Sequence, residues 1–239
     1  MELLGLFYWD TRYFLYIAPA ILLAVWAQGR VSRAYALAGR FTSRSGLSGA
    51  EAAQRILNVY GITDVAIEPV TTFLGDHYDP KRKVLRLSPD VYHGTSLASV
   101  GIAAHEVGHA LQDATSYGPL AIRNGLVPMA AIGSSVSIAL IVLGLILGSA
   151  LPALGVLALV GLGLYGAVVL FQLVNLPVEF DASARARAIL VNQGMVSADE
   201  DRIVGKVLSA AALTYVAATL TAILHLLYYA SLVLGRRDD

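Results

Sequence analysis

Ile138-Ala-Leu-Ile-Val-Leu-Gly-Leu-Ile-Leu-Gly148-Ser-Ala-Leu-Pro152-Ala-Leu-Gly-Val-Leu-Ala-Leu-Val160 is the centre of a longer run, and between Arg123 and Glu179 no Asp, Glu, Lys or Arg occurs. A helix crosses the hydrocarbon of a bilayer with roughly 20 apolar residues, so this run accommodates two passes. Gly148, Ser149 and Pro152 interrupt it near the middle. The spacing therefore predicts a helix over about 126–147, a tight turn, and a second helix over about 153–174. Together they form a transmembrane hairpin over 126–174.

Outward from the hairpin, two weaker apolar runs extend the pattern. Tyr13 to Gln28 is short and carries Pro19; Val207 to Leu234 contains, apart from tyrosines, His225 as its single ionisable group. The expectation is a mainly α membrane protein with about four transmembrane helices. The whole composition agrees, with 56% hydrophobic and 14% charged residues. The formal net charge is zero, which excludes the basic footprint of a nucleic-acid binder. The chain has no cysteine, so a metal site must draw on His, Asp and Glu. The amino terminus lacks a basic n-region and a cleavage site, so its apolar run reads as a retained anchor. The resulting division is an anchor over 1–28, a polar catalytic region over 29–125, the hairpin, a polar segment over 175–206, and a last span with its tail over 207–239.

An even number of crossings separates the two polar segments, so they share one side of the membrane. Arg30, Arg33, Arg40 and Arg44 follow the first span, and Arg185, Arg187, Arg202 and Lys206 fill the second segment, whereas the amino-terminal flank offers Arg12 alone. The positive-inside rule puts both segments in the cytoplasm. Arg236 and Arg237, which would fall outside, run against that orientation.

Within the larger polar segment, Ser48 and Glu51 have capping-box spacing and Gly61 follows the apolar run like a C-cap, predicting a helix over about 49–60. Val65 to Val70 and Lys83 to Leu87 are short and β-prone, with turn chemistry at Asp79-Pro80-Lys81-Arg82 before the second. A small, partly antiparallel sheet is expected. Thr95 or Ser96 can cap a further helix running to about Asp113, and this helix contains His105-Glu106-Val107-Gly108-His109.

Residues four apart lie on one helix face, so His105 and His109 can present imidazole nitrogens to a single ion. Glu106 is suited to hydrogen-bond a water at such an ion as general base rather than to ligate it, the pattern of zinc proteases. The bland alternative is a buried helix whose two histidines are satisfied by hydrogen bonds. Gly108 argues for the site, because glycine weakens a helix and is kept where something approaches closely. A catalytic zinc needs a third protein ligand. The candidates are Glu179 and Asp181, just beyond the hairpin, where Pro177 could open a helix and set Glu179 in its first turn. Alternatively both acids only complement that helix's dipole.

The stretch His105-Glu-Val-Gly-His109 with Ala-Leu-Gln112, Asp76-His-Tyr-Asp-Pro80 leading to Leu85-Arg-Leu-Ser88, and Val178-Glu-Phe-Asp-Ala-Ser183 with Arg185-Ala186 resembles the YugP-type neutral zinc metallopeptidases of bacteria. The similarity covers nearly the whole chain. It implies an integral-membrane protease of the bacterial plasma membrane, of gluzincin kind, with a small α+β zincin-like catalytic domain, Zn2+ as cofactor and Glu179 as the third ligand. Related membrane gluzincins carry an acidic residue four places after that glutamate, where this chain has Ser183. The partner that orients the first histidine is thereby unassigned, with Asp181 as the candidate.

The function so read is a membrane-anchored zinc-dependent endopeptidase acting on membrane or misfolded proteins, with protein or peptide substrates and the lipid bilayer as its partners. Glu106 takes a proton from the attacking water and passes it to the leaving amine. The second oxyanion donor stays open among Tyr78, His77, His93 and the arginines. If Lys83 to Leu87 is an exposed edge strand near the cleft, an extended substrate could pair with it. His225, titratable within an apolar run, is a functional candidate, but a hydrogen bond to a neighbouring helix accounts for it more simply; His77 and His93 read as loop residues at the surface. The rival function is a non-catalytic, zinc-stapled membrane scaffold or chaperone, which has no use for Glu106. A cut within the hydrocarbon fits poorly, since HEVGH lies roughly 15 residues ahead of the hairpin, in the polar segment.

Overall fold

The computed structural model describes residues 11–72 and 75–235. The first ten residues of the expected anchor, the Arg12 side chain, and Arg236 and Arg237 lie outside the described residues. The chain is mostly helical, in the order α1 (Thr11–Ala38), α2 (Gly49–Val59), β1 (Ala66–Pro69), β2 (His77–Asp79), β3 (Val84–Leu87), α3 (Pro89–Tyr92), α4 (Leu97–Ala114), α5 (Gly118–Ala150), α6 (Val156–Asn192) and α7 (Ala198–Leu234). Among the described residues, four helices are long and apolar enough to cross a membrane: α1, α5, α7, and α6 with the 3-10 turn that leads into it.

The helices run well past the apolar spans expected from sequence. At 1.5 Å per residue the 33 residues of α5 extend about 50 Å, against roughly 30 Å of hydrocarbon. A charged residue marks where hydrocarbon ends, but it does not end a helix. For the same reason Pro177 does not open a helix as expected. It lies inside α6, where the missing N–H removes a single backbone bond from an otherwise continuous ladder.

Two compact units emerge from the contacts. Among the described residues, one comprises 11–26, 122–175 and 215–235; the other comprises 27–72, 75–121 and 176–214. In the first, Leu151 is extended and Pro152–Gly155 forms a 3-10 turn between α5 and α6. Gly144 and Gly161 let the two arms meet, because a side chain at either would strike the backbone at Ala158 or Ser137. His225 also lies in this unit. Its Nδ1 is 2.9 Å from the Thr221 carbonyl of its own helix rather than of a neighbouring one, and its ring stands among those of Tyr13, Tyr165 and Tyr229.

The second unit has its own apolar core, centred on Ile56 and Leu57 of α2, Leu85 and Leu87 of β3, Leu97 and Val107 of α4, and Leu190 and Met195 from the end of α6 and the following turn. The α2 start is the capping box: Ser48 Oγ accepts from Glu51 N, and Glu51 accepts from Ser48 N at 2.8 Å. Asp79 Oδ1 accepts from the backbone N–H of Lys81 and Arg82, closing the turn before β3. The sheet has the order β1-β3-β2, with β1 parallel and β2 antiparallel to β3. β3 is therefore the central strand and both of its sides are taken. That overturns the expectation that an extended substrate could pair with Lys83 to Leu87. His77 sits in β2 rather than in a loop, with Nδ1 2.7 Å from the Gly75 carbonyl. His93 follows α3 at the surface.

Candidate metal centre

Ser96 caps α4, its side chain accepting from Ser99 N. From that start the helix carries Leu97, Val100, Ala104, Val107 and Leu111 into the core, and the opposite turn of its surface presents His105 and His109. The two rings meet edge to face with centroids 4.8 Å apart. α6 crosses at Gly108. A Cβ at that position would lie 2.6 Å from the Ala182 carbonyl oxygen and 3.1 Å from the Ala182 Cα, so only glycine allows the two backbones to approach this closely. The glycine inside the motif thus has a packing reason, and the group that approaches it is the helix carrying Glu179.

Glu179 is delivered between the two imidazoles. Its Oε2 lies 3.3 Å from His105 Nε2 and 3.6 Å from His109 Nε2, and one ligand atom from each of the three residues lies within 4.8 Å of the others. Two groups each about 2 Å from a tetrahedral ion stand roughly 3.3 Å apart, so the spacing suits zinc. A second observation supports the fit. Glu179 is 3% exposed, and its Oε2 is buried with no hydrogen-bond donor among the described residues. A buried carboxylate oxygen is rarely left unsatisfied. Two imidazoles and a carboxylate converging on one point form a donor set that a divalent cation would complete.

The far sides of both rings are held. His105 Nδ1 is 3.2 Å from Ser183 Oγ, and His109 Nδ1 is 3.0 Å from Gln112 Oε1. Gln112 in turn donates from Nε2 to the Val178 carbonyl and to Asp181 Oδ2, both at 2.8 Å. Asp181 also accepts from Arg185 Nε at 2.6 Å, and the Arg185 guanidinium lies over the Tyr117 ring. Asp181 therefore does not orient His105, as the sequence suggested; Ser183 holds that position itself. Neither Gln112 nor Ser183 was recognised from sequence as a partner of the histidines. The available signal was spacing: Gln112 is three residues after His109 and Ser183 four after Glu179, each one turn along on the same face.

Glu106 is 8% exposed and accepts no hydrogen bond from any described residue. Its negative charge acts on His109, whose pKa is raised above the ordinary histidine value. Burial is the largest single influence and pulls that pKa down, but the Glu179 and Glu106 carboxylates and the Gln112 contact outweigh it. Among the suggested oxyanion donors, Tyr78 is committed elsewhere: its hydroxyl donates to Asp113 Oδ2 at 2.8 Å, and Lys83 Nζ reaches the same oxygen at 2.7 Å.

Comparison with known proteins adds the following. Residues 13–234 match a family model described as "Putative neutral zinc metallopeptidase". The chain is 46% identical over 229 residues to the "Putative membrane protease YugP" of Bacillus subtilis (strain 168), a match that takes in 95% of this chain and 99% of that protein. No solved structure matches it.

Proposed function

Because the chain belongs to the neutral zinc metallopeptidase family, we propose that it is a membrane-anchored zinc-dependent endopeptidase hydrolysing peptide bonds in membrane or misfolded proteins at the bilayer surface. The observation that carries this reading is the buried Glu179 Oε2, without a hydrogen-bond donor among the described residues, standing between His105 Nε2 and His109 Nε2. In this reading residues 29–125 form a zincin-like α+β catalytic region with HEVGH on its helix, and 175–206 supply Glu179 as third ligand, the gluzincin arrangement. The arginines at 30, 33, 40 and 44 favour a cytoplasmic active site, and the bacterial plasma membrane is the location this reading gives it; the relative from Bacillus subtilis is named a membrane protease.

Zinc, when held by His105, His109 and Glu179, supplies Lewis acidity that polarises a peptide carbonyl and brings the ionisation of water to about neutral pH. Glu106 is the general base. It accepts the proton of the attacking water and delivers it to the departing amine nitrogen. Its lack of a hydrogen-bond partner among the described residues suits that task and weighs against a scaffold stapled by zinc, which has no use for an uncommitted carboxylate next to a ligand.

Zinc content and casein hydrolysis of the purified protein, compared between wild type and Glu179→Ala, test the proposal. It predicts about one zinc per wild-type chain and loss of both zinc and hydrolysis in the variant. Full zinc occupancy in Glu179→Ala would remove this glutamate from the site, and a wild type that binds zinc yet cleaves nothing would favour the scaffold.

A further inference from the structure

Gln112 is fully buried, and the direction in which its amide points can be worked out from its partners. Nε2 lies 2.8 Å from the Val178 carbonyl and 2.8 Å from Asp181 Oδ2. A backbone carbonyl only accepts, and a carboxylate that is also paired with Arg185 at 2.6 Å only accepts as well. The end of the amide facing them must be the NH2 group, and both of its hydrogens are used. The other end, Oε1, therefore faces His109 Nδ1 at 3.0 Å. An acceptor there requires Nδ1 to carry a proton, so the neutral ring is the Nδ1–H tautomer, whose Nε2 lone pair faces Glu179.

His105 differs. Its Nδ1 partner is the Ser183 hydroxyl at 3.2 Å, a group that rotates and can either donate or accept. The tautomer of His105 is not dictated in this way. The two ligating histidines are thus held unequally, one by a fixed amide and one by a rotor.

We propose that Gln112 is a positioning residue that locks His109 in the tautomer competent to bind metal through Nε2, and that Asp181 is the anchor of this lock. The inference rests on the reading of His105, His109 and Glu179 as a metal site. The lock joins α4 to α6 across 66 and 69 residues of sequence, so it exists only when α6 is docked beside the motif helix. Metal affinity and the docking of the two helices are then linked through one side chain.

The test uses the full-length protein in detergent. Zinc affinity is measured by competition with a chromophoric chelator, and the visible bands of the Co(II)-substituted form report ligand geometry. Gln112→Met is expected to weaken zinc binding by about 10- to 100-fold, the usual effect of removing an outer partner of a ligating histidine, and to shift the Co(II) bands. Asp181→Ala is expected to weaken it too, whereas Asp181→Asn, which keeps an acceptor for the amide, retains most of the affinity. A side chain that merely supports the fold would lower the unfolding temperature of the metal-free protein without moving the Co(II) bands. Zinc binding in Gln112→Met within about threefold of wild type overturns the inference while leaving the metal site intact. Should Gln112→Met fail to fold, the Asp181 pair carries the test, and equal losses in the alanine and asparagine variants overturn it. A wild type that binds no zinc instead sinks the underlying metal-site reading.

Discussion

Replacing Gly108 with alanine perturbs the site without touching any proposed ligand. The added Cβ would stand 2.6 Å from the Ala182 carbonyl oxygen and 3.1 and 3.2 Å from the Ala182 Cα and carbonyl carbon. All three are backbone atoms, so no side chain can rotate away. An unstrained carbon–oxygen approach is about 3.3–3.6 Å, which requires the two helices to separate by roughly 0.7 Å. Metal–ligand distances tolerate only about 0.2 Å, and His105 and His109 flank this glycine on α4 while Glu179 lies one turn from Ala182 on α6. Overpacking costs about 1–3 kcal/mol, offset by about 1 kcal/mol of helix propensity gained over glycine. The fold should therefore survive with a loss of about 0–2 kcal/mol, while zinc affinity falls by at least about tenfold. Chelator competition reads the affinity, and thermal unfolding of the metal-free protein reads the stability. Wild-type zinc affinity in Gly108→Ala would refute the claim that the close helix crossing sets the ligand geometry.

Three further outcomes follow from the structure. Leu85→Pro should fail to yield folded protein, because it removes a ladder bond from the central strand and disturbs a fully buried position, at about 3 kcal/mol or more; a well-folded variant by circular dichroism would contradict the strand order. Ser48→Ala should lower stability by about 1 kcal/mol through loss of the α2 cap, seen as a reduced unfolding temperature with zinc binding unchanged. The metal-free protein should lose stability as pH rises. The His109 pKa is raised in the fold, so its contribution is complete below the ordinary value of about 6.5 and disappears as pH climbs through the raised one. Unfolding temperatures across that window check the sign, and a metal-free stability that increases with pH there would reject it.

Much of the helical architecture is legible in the sequence. The uncharged run between Arg123 and Glu179 announces a hairpin because charge is costly in hydrocarbon, and Ser48 with Glu51 announces a helix start because orphan N–H groups need acceptors. Helix ends were less legible, since α5 and α6 continue beyond the apolar run and Pro177 does not interrupt α6. The strand order was hidden for a different reason. Lys83 to Leu87 reads equally well as an edge or a centre, and only pairing with Ala66–Pro69 and His77–Asp79 on its two sides decides it. At the site, HEVGH is a local pattern and could be read directly. Ser183 and Gln112 acquire meaning only once α6 lies against α4, because one side chain reaches His105 and the other reaches Val178 and Asp181 across the helix crossing. Gly108 is the exception: a residue that weakens its own helix advertised a close neighbour, and that neighbour is Ala182.

Glu106→Gln tests the central claim most directly, with zinc content and peptide hydrolysis measured on the same preparation. Glutamine keeps the size of the side chain and removes the base, and Glu106 bonds to no described residue that the change would disturb. The account predicts zinc bound as in wild type and hydrolysis reduced by about 10²- to 10⁴-fold. Hydrolysis at the wild-type rate, with zinc in place, would contradict it.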